Sequence, residues 1–133
     1  GPDAMSFSLN HAIIVSSWCS TSIELAHKKA DEIGLEKLVT RVVPHIINGG
    51  ASFAVLPDGS NEGWIASELC DTLRGQFVAW MRTTYHADGS SALKWVEVQF
   101  GDEELETKVV GSSDDDRARV EAALPVPETT DRG

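Results

Sequence analysis

The sequence predicts an α+β domain, a mainly antiparallel sheet of about five strands with two helices packed on one face, in the order β-α-β-β-α-β-β and with a possible short C-terminal helix. Three observations carry this. Short runs rich in β-branched and aromatic residues, "HAIIVSSW", "SFAVLP" and "LKWVEVQF", are separated by two longer segments whose apolar residues recur at helical spacing. An Asn48-Gly49 pair stands between two of the strand-like runs, the turn chemistry of a hairpin. The chain of 133 residues, 41% hydrophobic and 24% charged, is long enough to build one core without cross-links.

The elements follow in order. His11 to Trp18 has a continuous apolar centre, expected of a central strand buried on both faces. Thr21 and Glu24 then stand in capping-box spacing before a helix with Ile23, Ala26, Ala30 and Ile33 on its apolar side, which Gly34 closes. Leu38 to Pro57 reads as two strands joined at Asn48-Gly49-Gly50-Ala51, and Pro44, having no N–H for a ladder, puts the first of them at an edge or a bulge. Asp58-Gly59-Ser60 and Gly63 make a polar break, and Ser67 is a suitable N-cap for a core helix carrying Leu69, Leu73, Phe77, Trp80 and Met81. Residues 93–100 alternate, with Lys94, Val96, Val98 and Phe100 on one face and Trp95, Glu97 and Gln99 on the other. "GDEE" turns the chain into a last strand at 105–110.

Gly1 to Met5 reads as a protease scar with a start methionine, 6–111 as a single domain, and 112–133 as an acidic segment forming a short helix and then a disordered tail. No secretory leader or membrane-spanning run follows Met5, so a soluble, cytoplasmic protein is expected. Residues 1–87 hold 9 acids and 6 bases (−3) and residues 88–133 hold 12 acids and 5 bases (−7), which together give the net charge of −10. Such a field repels nucleic acid and favours a basic protein partner. Cys19 and Cys70 are expected as reduced, buried thiols.

Chemistry-bearing patterns are sparse. His11, His27, His45 and His86 lack metal spacing, "NGGAS" is not a phosphate loop and "DGSNEG" is not a calcium loop, so a non-catalytic protein without cofactor is expected. Four tryptophans exceed what one small core needs. Trp80 belongs to the helix stripe, whereas Trp64 in the polar break and Trp95 on the polar strand face are candidates for partner contact, with Asp58, Glu62, Asp102, Glu103 and Glu104 as the surrounding acids. Arg41, Arg74 and Arg82, with Lys94, form an alternative set that would hold a phosphate-bearing small ligand if the fold gathered them.

"HAIIVSSW", "SFAVLPDGSNEGW" and "DGSSALKWVEVQFGDEELET" followed by "SSD" together resemble a family of small accessory proteins of tailed bacteriophages and prophages, over residues 11–114. In size and helix-plus-sheet make-up the chain is also distantly similar to anti-Thoeris proteins that trap cyclic ADP-ribose signals. The resemblance implies action inside an infected bacterium, by binding and inhibiting a host defence or gene-expression protein or, alternatively, by sequestering a nucleotide signal. It implies a host protein or small nucleotide as partner, with a homodimer possible, while the acidic charge and the lack of a long apolar run argue against nucleic acid and membrane. It transfers no site residue.

Overall fold

In the computed structural model, which describes residues 9–101 and 107–115, the strands are β1 (Leu9–Ser17), β2 (Val43–Pro44), β3 (Ala51–Val55), β4 (Lys94–Gly101) and β5 (Lys108–Ser112). They form one antiparallel sheet of order β2-β3-β1-β4-β5. Helices α1 (Ser20–Ala30) and α2 (Ile65–Met81) supply the buried residues that cover one face, so the expected α+β architecture is the one observed. As expected, β1 is central and Pro44 lies in the edge strand. Among the described residues no helix is long and apolar enough to cross a membrane.

Register decides which side chains meet the helices. Val15 stands opposite Phe53 on β3 and Trp95 on β4, and Ile13 opposite Val55 and Glu97. Directly paired residues point to the same side, so this set defines the covered face. Ile13, Val15, Phe53, Val55 and Trp95 are buried there with Ile23, Ala26 and Ala30 of α1 and Phe77, Val78 and Met81 of α2. Removing each Ile, Val, Phe or Met side chain of this set from water is worth about 1.5–3 kcal/mol, which makes this layer the main source of stability.

Three expectations need correction. The first strand is not buried on both faces: Ile14, on the side opposite α1 and α2, is 49% exposed. In β4 the alternation is as expected, but the covered side is the one bearing Trp95, which is only 3% exposed, and the apolar Val96, Val98 and Phe100 point the other way. The physical reason is that Trp95 falls opposite Val15 and beneath the end of α2, where the guanidinium carbon of Arg82 lies 5.6 Å from the indole centroid. Glu97 shares that side at the cost of one partner, the Nδ1 of His11 at 3.0 Å. The last strand begins later than read, at Lys108, and residues 102–106 lie outside the described set.

The helix starts also differ. Cys19 precedes α1 without a side-chain cap, and Ser17 takes over that end, its Oγ accepting from the Cys19 amide (3.0 Å) and donating to the Ala92 carbonyl (2.9 Å). After α1 the chain widens into a π-helical turn, Asp31–Leu35, in which Gly34 has φ +122°. That left-handed conformation, open to glycine at little cost, lets buried Leu35 return to the core. His27 of α1 packs onto the sheet: its ring meets Phe53 edge-on at 5.1 Å and Nε2 donates to the Thr40 carbonyl (2.9 Å). α2 starts at Ile65, ahead of the expected cap Ser67, whose hydroxyl instead donates to Glu62 (3.2 Å). The start is set by the bend at Gly63, φ +92°. Residues 113–115 begin a helical turn, and the remainder of the expected C-terminal helix and tail is outside the described residues.

Candidate functional site

The side of the sheet opposite the helices holds an apolar floor and, at one end, a polar row. Ile14 and Val96 are paired at the centre, Ala12 and Val98 next to them, and a groove of about 450 Å³ runs over Ile14 and Val96 between Val109 and Ser16. The row crosses the sheet one step further along. His45 Nε2 is 2.6 Å from Ser52 Oγ, Ser52 Oγ is 2.6 Å from Ser16 Oγ, Ser16 is the registered partner of Lys94, and Lys94 Nζ is 3.4 Å from Asp114. Each member comes from a neighbouring strand or its flank, so the antiparallel register alone brings together residues far apart in sequence.

The polarity of this row follows from its ends. His45 Nδ1 lies 3.1 Å from the Gly49 carbonyl, which can only accept, so in the neutral ring the proton sits on Nδ1. Nε2 is then an acceptor and takes the Ser52 hydroxyl proton, which leaves Ser52 Oγ to accept from Ser16. The imidazole is also held mechanically. Trp18 meets it edge-on at 5.6 Å, and Gly50 passes under both rings with φ +82°. A Cβ on Gly50 would stand 2.8 Å from the Ser17 carbonyl, 2.9 Å from Trp18 and 3.0 Å from His45, so only glycine fits. The hairpin tip beyond it leaves Ile46 98% exposed and Ile47 largely so.

A second exposed surface lies at the start of α2. Trp64, Ile65 and Leu69 are all more than half exposed, with Ile65 and Leu69 one helical turn apart. Carboxylates of Glu62, Glu68 and Asp71 belong to the same loop and first turns. The loop that presents Trp64 is built rather than free. Arg74, 3% exposed, donates from Nη1 to Asp58 (3.1 Å) and from Nη2 to Asp71, and Asp58 also accepts from the Ser60 amide (2.7 Å) and the Ser60 hydroxyl. Burial alone would raise the Asp58 carboxyl, but these Ser60 hydrogen bonds and the Arg74 guanidinium outweigh it and hold the group at about 2. Burial and the nearby Asp58 charge push the Cys70 thiol up, while hydrogen bonds from Ser22 and Thr21 in the first turn of α1 pull Cys19 down. Both thiols are free and half-buried rather than buried.

The structure therefore separates the residues singled out by sequence. Trp64 is exposed as that reading requires, Asp58 and Glu62 hold its loop in shape, and Trp95 is a core residue. Asp102, Glu103 and Glu104 lie outside the described residues. Arg74 and Arg82 are not gathered. Arg74 is committed to two carboxylates, Arg82 sits eight residues further along α2, about 12 Å by helical rise, against Trp95, and Arg41 is exposed in the segment before β2. The row formed by Ser16, Ser52 and His45 escaped sequence reading, because serines in strands and a lone histidine carry no spacing signature. The one available signal was Gly49-Gly50 directly after His45, more glycine than a two-residue turn demands.

No family model, curated protein or solved structure matches the chain.

Proposed function

We propose that the chain is a binding protein that engages another protein through the Trp64 surface. The observation that carries this reading is the exposure of Trp64, Ile65 and Leu69 together on a loop and helix start fixed by the buried Arg74 cluster. A rigid aromatic anchor beside two aliphatic side chains is the composition of an interface centre, and the carboxylates around it supply a charged rim. With a net charge of −10, the complementary partner presents an apolar pocket ringed by Lys and Arg. The resemblance to phage accessory proteins gives that partner a context, a protein of the bacterial host that the chain binds and inhibits. This reading requires no turnover. The nucleotide-sequestering alternative has no comparable support, because Arg74 and Arg82 are apart.

The test is a pull-down from bacterial host lysate with wild-type protein and with Trp64→Ala and Leu69→Ala variants, each first checked for an unchanged melting temperature. Capture of a defined protein, lost in both variants and weakened by raised salt, is the expected result. Equal capture by all three proteins, or a large loss of stability on removing the Trp64 ring, refutes the reading.

A further inference from the structure

We propose that Ser52 is a nucleophile that takes an acyl group from carboxylic esters, with His45 as its base. This does not rest on the protein-binding reading, since it uses the open face of the sheet and not the Trp64 surface. The geometry meets the requirements for an activated serine. The hydroxyl is within hydrogen-bond reach of an imidazole nitrogen (2.6 Å), and that imidazole is oriented through its other nitrogen by a fixed acceptor, the Gly49 carbonyl (3.1 Å). Ring position is further constrained by Trp18 and by Gly50, whose missing Cβ makes room for it. Such constraint is more than a solvated Ser–His contact needs.

The neighbours fit the chemistry. Attack by the Ser52 Oγ lone pair on the ester carbon forms the C–O bond and moves the carbonyl π pair onto oxygen, while the Ser52 proton passes to His45 Nε2. Negative charge then develops beside Ser52, where the Ser16 hydroxyl (2.6 Å from Ser52 Oγ) is a donor and the Lys94 ammonium is next in the cross-strand row. Collapse restores the carbonyl and breaks the bond to the alcohol or phenol, which leaves with the proton held by His45, and the acyl group remains on Ser52. Water, deprotonated by His45, releases it by the reverse sequence. The groove over Ile14 and Val96 begins at Ser16, so an unbranched aliphatic acyl chain has an apolar bed to lie on.

The full chain is to be treated with 4-nitrophenyl butyrate and 4-nitrophenyl acetate, following nitrophenolate release and intact mass. Expected are release above the buffer rate, faster with the butyrate, an acyl mass gain on the peptide containing Ser52, loss of both in Ser52→Ala, and a fall of roughly 10²–10⁴-fold in His45→Gln. Cys19→Ser keeps the reaction. Ser52 is half-buried on the face opposite α1 and α2, so Ser52→Ala should melt as wild type. Should it fail to fold, peptide mapping of the wild-type adduct and the His45→Gln rate decide the matter. Release at the buffer rate, an adduct on Cys19, a lysine or the N-terminal amine, or an unchanged rate in Ser52→Ala or His45→Gln overturns the proposal.

Discussion

Ile13 and Ile14 are adjacent, chemically identical and on the same strand, yet one is fully buried and the other 49% exposed. The difference is the difference between the two faces of the sheet. On Ile13's side α1 and α2 close the layer, and hydrophobic burial dominates. On Ile14's side a row of hydroxyls and an imidazole borders apolar cross-strand pairs that are left partly in water. One face fixes the fold, and the other is where side chains remain available for chemistry.

The contrast can be broken most directly at those two residues. Ile13→Ala should cost about 3–4 kcal/mol by transfer and cavity terms, against about 1 kcal/mol or less for Ile14→Ala, measured by denaturant unfolding. Equal losses would mean that the second face is covered in solution. Gly50→Ala comes next, at least about 2 kcal/mol, because a left-handed backbone and a collision with the Ser17 carbonyl add together. Gly49→Ala, with φ +71° and open space around it, should cost about 1 kcal/mol. That pair isolates the packing of the His45 loop from its backbone strain.

A third comparison uses acid. The folded Asp58 carboxyl is held at about 2 against an ordinary 3.8, so its contribution to stability is present above about pH 4 and is lost as pH falls towards 2. Asp58→Asn should flatten the acid unfolding curve in that window and lower stability at neutral pH, where Arg74 then loses one buried partner. A curve unchanged in shape would show that the cluster does not report on folding. The smallest effect is expected for Trp95→Phe, within about 1 kcal/mol, since the lost volume is offset by removing a buried indole N–H that has no hydrogen-bond partner among the described residues.

Much of this fold was legible in the sequence. A continuous apolar run located the central strand, helical spacing both helices and period-two alternation β4, and Asn48-Gly49 announced the first hairpin. Alternation in β4 could not say which set the helices would cover, because Trp95 on one side and Val96, Val98 and Phe100 on the other are both apolar enough to be chosen. The helices choose, and their placement is a tertiary fact. The same limit hid Arg74, whose burial depends on Asp58 sixteen positions away, and the His45–Ser52–Ser16 row, whose members meet only through strand register. Trp64 could be singled out because it stands where a loop becomes a helix, whereas its exposure, like the burial of Trp95, is a tertiary fact.

The brevity of β2 has a consequence of its own. Beyond the isolated Val39–Val55 bridge, it offers a neighbouring chain Val43 and Pro44, and proline has no N–H to donate to an added strand. At the opposite margin β5 meets β4 through a register shift and opens on Lys108, both of which discourage an incoming strand. Sheet growth from copy to copy, the route to fibres, is thus disfavoured at both margins of the described sheet, even with hydrophobic side chains left in water on one face.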